Sequence, residues 1–360
     1  MYLLKALSKE YALFISITTL ILFSIYEHIL VENMLGNLIG FSILFVVIIY
    51  ASLSVAHHAE LLAEKFGEPY GTLILTISAV TVEVMIIAIM ILHSHNPVLA
   101  RDTIYSAIML DINGLLGVSA IIGGLKFGEQ PYNIDSSNSY LSMLLVAIGL
   151  SMVLPQFITV EKQEIFMWFI VFVFVALYLV FTKIQLKNHK YFFEYKTNNS
   201  SFDNQSHTNQ EINAKYHTIL LVIYIIMIGF LSELLAVFMD NNLKELDLPL
   251  ALGAVGVAVI SASPELIVAI RASLDNRMQT VINIALGASL ATILLTIPAV
   301  IVISMVSGLS LHLALSPIQE LLLGLTLVVS IVNFNDGETN MLEGFLHFIL
   351  FVVFAFVLFL

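Results

Sequence analysis

An all-α polytopic membrane fold, with a first helix followed by two inverted five-helix repeats, is predicted by three observations. Of 360 residues, 59% are hydrophobic and only 11% charged, and the mean hydropathy of +0.98 lies outside the range of soluble domains. Apolar runs of roughly 20 residues, enough to cross a bilayer core, recur along the chain about eleven times. The third observation is an internal echo. AELLAE at Ala59–Glu64 resembles SELLAV at Ser232–Val237, and each precedes an apolar segment with one central acid, Glu83 or Glu265.

The elements follow in order. Predicted helix 1, near 11–31, exceeds a signal-peptide core and shows no small-residue cleavage site, so it reads as a retained helix. Helices 2 to 6 lie near 36–59, 70–93, 102–124, 139–158 and 164–184. A polar, aromatic-poor stretch over 185–216 contains TNNSSFDNQSHTNQ and reads as a solvated linker. Helices 7 to 11 lie near 217–239, 249–272, 279–305, 316–333 and 341–360. The chain thus divides into an N-terminal helix over 1–35, a first repeat over 36–184, the loop over 185–216 and a second repeat over 217–360. Five helices is an odd number, so the second copy enters the membrane from the opposite side, a plan that secondary transporters use.

Charge supports this threading. Eleven of the 14 lysines and arginines fall on one side, and Arg101, Lys162 and Lys244 fall on the other. The positive-inside rule then places the N-terminus and the 185–216 loop in the cytoplasm and the C-terminus outside, across a plasma (inner) membrane. The net charge of −12 and the lack of a basic patch exclude a nucleic-acid partner. The absence of cysteine excludes disulfides, zinc–thiolate sites and thiol catalysis. No P-loop, His-Glu-x-x-His or Gly-x-Ser-x-Gly motif is present, so neither ATP-driven transport nor a common hydrolase site has support, and no cofactor is expected.

The chemistry is expected at acids inside apolar segments, which are costly there and mark ion or proton pathways. Glu83 lies about 13 residues into predicted helix 3 and Glu265 about 16 into helix 8, which puts both near mid-bilayer at 1.5 Å per residue. Ser263 followed by Pro264 has the form of an N-cap and first-turn proline, which predicts a helix that stops and restarts beside Glu265. Hard cations take carboxylate, hydroxyl and carbonyl oxygens, which makes Thr81 and Ser263 second ligands, although both residue types also serve ordinary helix packing. Two facing acids carry about two negative charges when empty. Two protons or one divalent cation neutralise them, which couples the two fluxes if only a neutral site reorients.

Glu60 and Glu233, at matching places in the echoing motifs, are candidate access-path acids, and local pairing at the interface explains them nearly as well. Asp111 and Asn113 in helix 4, and Asn283 and Ser289 in helix 9, are further candidates for the cavity wall. Adjacent His57 and His58 point about 100° apart on a helix, a poor geometry for a shared metal. Gly114 and Gly117 read as close-packing residues.

These stretches resemble the calcium/proton exchangers of the cation/calcium exchanger superfamily, and most closely the bacterial ChaA-type antiporters. The matching segments are GEPYGTLILTISAVTVEV (Gly67–Val84), ARDTIYSAIM (Ala100–Met109) and GLLGVSAIIGGLKFGEQ (Gly114–Gln130). In the second half they are SPELIVAIRASLDNRMQ (Ser263–Gln279), GASLATILLTIP (Gly287–Pro298) and DGETNMLEG (Asp336–Gly344). The resemblance implies an extra first helix before an inverted five-plus-five fold. It also implies that Glu83 and Glu265 are the central cation and proton carboxylates, with Glu60 and Glu233 as flanking acids. The family's Gly-Asn-Ala-x-Glu form is replaced here by Ala79-Val80-Thr81-Val82-Glu83 and by Ser261-Ala262-Ser263-Pro264-Glu265, so amide ligands are missing and the choice among Ca²⁺, Na⁺ and K⁺ stays open. The expected activity is secondary cation/proton antiport, exporting Ca²⁺, with Na⁺ and K⁺ as further candidates. The partners are lipid, inorganic cations and protons, and the oligomeric state is open. A channel or ion sensor built on the same acids is the alternative, distinguished by flux without proton coupling.

Overall fold

The computed structural model describes residues 10–67, 70–185 and 213–359, excepting the side chains of 70–72. The first nine residues and most of the expected 185–216 linker lie outside that set. The described residues form eleven helical rods: α1 (Tyr11–Val31), α2 (Met34–Phe66), α3 (Tyr70–Ser94), α4 (Leu99–Phe127), α5 (Ile134–Phe157), α6 (Val160–Lys183), α7 (Ala214–Glu245), α8 (Leu250–Leu274), α9 (Met278–Val306), α10 (Pro317–Asn333) and α11 (Met341–Val357). Nine are long and apolar enough to cross a membrane, and α10 and α11 are shorter apolar helices. The rods extend past several expected ends, most of all in α2. Its last two turns carry the Glu60–Phe66 segment, beyond the end expected at 59.

Matched elements stand in the two halves. The rods α3 and α8 each have 25 residues; α4 and α9 each have 29. A one-turn π segment interrupts α4 at Leu110–Leu115 and α9 at Thr292–Thr296, with another in α5 at Gly149–Val153. Such bulges insert one extra residue into the turn and re-aim the side chains around it. The break expected at Ser263–Pro264 is not there. Pro264 sits inside a continuous α8, and the Ser263 hydroxyl donates to the Val259 carbonyl instead of capping a new helix. A single proline removes one N–H, and in this packed environment the helix carries on through it.

The halves interlock. The most extensive packing joins α2 to α7, and α8 packs along α4 and α2 while α3 packs along α7. Glycines let α4 and α11 approach closely. A Cβ on Gly344 would lie 2.7 Å from the Ile121 nitrogen and 2.8 Å from the Gly117 oxygen. Large apolar side chains remain exposed on the outer rods, as with Ile25 on α1, Phe172 on α6 and Val332 on α10, as expected of surfaces that meet lipid.

Hydrogen bonds sort the connections onto two faces. On the first face, Lys126 donates to the Leu274 carbonyl, and two-residue strands β1 (Gln130–Pro131) and β2 (Glu338–Thr339) pair antiparallel. The ends of α2 and α6 and the start of α7 belong to the same face. On the second face, Arg101 Nη1 donates to the Ala314 carbonyl at 3.0 Å and ion-pairs with Asp102 at 2.8 Å. Asp102 in turn accepts from Gln319, and the His312 amide donates to the Pro97 carbonyl. The 307–316 segment is thus pinned across that face.

Candidate functional site

One cavity of about 520 Å³ reaches from mid-membrane toward the first face. Its deep end is lined by Glu83 from α3, Glu265 from α8, Asp111 from α4 and Thr292 from α9. Its wall continues past Asn283, Thr280, Ser78 and Tyr140 to Glu60, Tyr178 and Gln185 at the first-face ends of α2 and α6. Among the described residues, no lysine, arginine or histidine lines it.

Each acid is held differently. The Glu83 side chain, 6% exposed, accepts from the Thr292 hydroxyl at 3.1 and 3.0 Å and from Thr296 at 2.7 Å. The two threonines bracket the π segment of α9, which brings both hydroxyls to one carboxylate. Asp111 lies within the matching π segment of α4. Its Oδ2 accepts from Ser289 at 3.1 Å, while its buried Oδ1 faces no donor. Glu265 follows Pro264 in α8, and its buried Oε2 likewise has no partner. Two carboxylates that line the cavity therefore each keep one buried oxygen without a partner. Among the described residues, no three acids or histidines converge on one coordination sphere in this conformation.

The structure thus brings Glu83, Glu265, Asp111, Asn283 and Glu60 to one cavity. Ser289 stands behind the wall as the donor to Asp111. Thr81 is turned away from the cavity, its hydroxyl donating to the Ile77 carbonyl. Ser263 bonds its own helix, and exposed Glu233 lies on α7 outside the lining. Asn113 faces α10 and α11, bonded to Thr326 and His347. The reading by sequence missed Thr292 and Thr296. Both stand in GASLATILLTIP, and their i, i+4 spacing on an apolar helix was the available signal.

The sodium/calcium exchanger protein family model matches residues 36–187 and 216–360, which together are nearly all of the chain after α1. The chain belongs to the sodium/calcium exchanger protein family. Among curated relatives of this exchanger, the sodium-potassium/proton antiporter ChaA of Escherichia coli (strain K12) is 34% identical over 319 residues, covering 87% of this chain and 86% of that one. The Ca²⁺/H⁺ antiporter ChaA of Bacillus subtilis (strain 168) is 24% identical, covering 63% of this chain and 66% of that one. Among solved structures, the fold is shared with the Ca²⁺/H⁺ antiporter protein YfkE. The TM-score is 0.78 at 18% identity, over 97% of this chain and 99% of that one. It is also shared with the H⁺/Ca²⁺ exchanger CAX, with a TM-score of 0.64 at 18% identity over 97% and 88% of the respective chains. The exchanger is accordingly a multi-pass membrane protein and a secondary transporter, not an enzyme.

Proposed function

We propose that this exchanger is a cation/proton antiporter in which Glu83, Glu265 and Asp111 form one shared site for the cation and the protons. The observation that carries the reading is the pair of partnerless buried carboxylate oxygens, Glu265 Oε2 and Asp111 Oδ1, on acids that line a cavity with no basic side chain among the described residues. Buried carboxylate charge in low dielectric demands a partner, and here protons or cations are the available ones. Glu83, already bonded by two hydroxyls, supplies the third charge and anchors α9 to α3. A cation entering past Glu60 meets these oxygens with part of its water shell retained, and closure of the rods draws them inward.

Reorientation exposes the site alternately to the two faces. The matched lengths and π segments support two inverted repeats, α2–α6 and α7–α11, meeting at this site. The positive-inside rule makes the first face cytoplasmic. The conformation is then open inward, with the Arg101 clamp closing the outside. Export follows, in exchange for entering protons. Ca²⁺, Na⁺ and K⁺ are all proposed cargoes, since the relatives named above carry both valences in their names.

Purified protein in liposomes with an enclosed pH dye tests this. Addition of Ca²⁺, Na⁺ or K⁺ against a proton gradient should move protons outward from acid-loaded vesicles. Cation flux with no dye response makes the protein a channel and overturns the antiport reading.

A further inference from the structure

Asn113 stands two residues after Asp111 in the same π segment, and its side chain leaves the cavity for the interface with α10 and α11. There it meets the buried His347, whose Nδ1 lies 3.0 Å from Asn113 Oδ1. The Thr326 hydroxyl sets the directions, since the Leu322 carbonyl at 2.9 Å is a closer and better acceptor than Met109 Sδ at 3.7 Å. Thr326 commits its one proton to the Leu322 carbonyl at 2.9 Å, so at its 2.7 Å contact it accepts from Asn113 Nδ2. The amide oxygen therefore faces His347, which must donate from Nδ1. That ring is 0% exposed, stacks on Phe334 with centroids 5.7 Å apart, and has no described partner at Nε2.

A π turn carries one residue more than an α turn, and the side-chain bonds on either side of it hold its orientation. On the cavity side Asp111 has a single bond, from Ser289. On the other side Asn113 has two strong anchors from two separate helices. The glycine contact of α11 with α4 at Gly117 and Gly344, one turn from His347, holds the histidine in register. The matched π segment of α9 is held from the site side by two threonines bonded to Glu83, whereas that of α4 has only the Ser289 bond there. The first-half turn therefore depends on support from behind.

We propose that His347 is a positioning residue for Asp111: through Asn113 it fixes the bulged turn of α4 that aims the Asp111 carboxylate into the cavity. The assignment rests on the reading that Asp111 takes part in cation binding. His347 touches neither cation nor cavity, so its effect is on affinity rather than on the number of working transporters.

The test compares His347→Leu, His347→Asn and the unaltered protein in liposomes, using whichever of Na⁺, K⁺ and Ca²⁺ the unaltered protein exchanges. His347→Leu should raise the half-saturating cation concentration about tenfold, the size seen when groups behind a metal ligand are removed, with the maximal rate largely kept. His347→Asn, which offers an amide N–H, should restore most of the affinity. Thr326→Val, nearly isosteric, removes the other anchor and should shift affinity in the same direction even if His347→Leu folds poorly. A fall in maximal rate or melting temperature with unchanged half-saturation in these variants reduces His347 to a packing role and overturns the assignment. If the unaltered protein moves no protons with any of the three cations, the antiport reading itself fails and takes the assignment with it.

Discussion

Thr292 on α9 donates to both carboxylate oxygens of Glu83 on α3, at 3.1 and 3.0 Å, and so joins the central acid of the first half to the π segment of the second. Thr296 adds a 2.7 Å bond one turn further on. Hydrogen bonds to a charged group contribute about 1.5–3 kcal/mol each. Thr296→Val should therefore weaken half-saturation by the cation roughly tenfold or more, and the Thr292→Val, Thr296→Val double variant should lose more than either alone. Dye-coupled exchange in liposomes reads both. A double variant with native affinity would show that the threonines serve packing only.

Neutralising an acid should separate the two halves of the coupled reaction. Glu265→Gln keeps shape but cannot take up and release a proton, so cation-driven proton movement should fall to background while the protein still elutes as a folded species. A site shared by cation and protons, as proposed, makes them compete, so acidification should raise the half-saturating cation concentration and alkalinisation lower it. Half-saturation that does not vary between mildly acid and mildly alkaline pH would argue against a shared site.

The chain contains no cysteine, so single introduced thiols report access without background. Ala79 is exposed and lines the cavity on the first-face side of Glu83. Ala79→Cys should react with an impermeant maleimide in inside-out vesicles and resist it in right-side-out ones, and saturating cation should slow the reaction. Equal labelling in both preparations would contradict a cavity closed at the second face.

Gly344 offers a stability test remote from the acids. A methyl group there meets backbone atoms of α4 at 2.7 and 2.8 Å. Overpacking against an unyielding backbone costs about 1–3 kcal/mol. Gly344→Ala should lower the melting temperature in detergent by several degrees, and Gly344→Val by more. No change in either would mean that α11 can shift away from α4 without penalty.

Much of this arrangement was legible in the residues because the bilayer demands long apolar runs and penalises acids within them. Glu83 and Glu265 stood out on that ground, and they meet at one cavity. The bulged turns were not legible, since nothing in LDINGL or TILLT marks a π turn apart from an α turn. Pro264 misled for the opposite reason. Its pairing with Ser263 has the form of a helix start, but a neighbouring helix on several sides let α8 run on. Asn113 was grouped with Asp111 by proximity, although two positions along a helix turn the side chain by about 200°, and that rotation sends it to His347.

The small ribbon on the first face limits how the exchanger can move. Gln130 opposite Thr339 and Pro131 opposite Glu338 join the α4–α5 connection to the α10–α11 connection, and these bonds are lost if the two connections separate. A transport cycle that keeps the ribbon intact carries these two connections together. In such a cycle the relative movement falls elsewhere, and α2 and α7, which pack chiefly on each other and on α1, α3 and α8, are not tied by the ribbon.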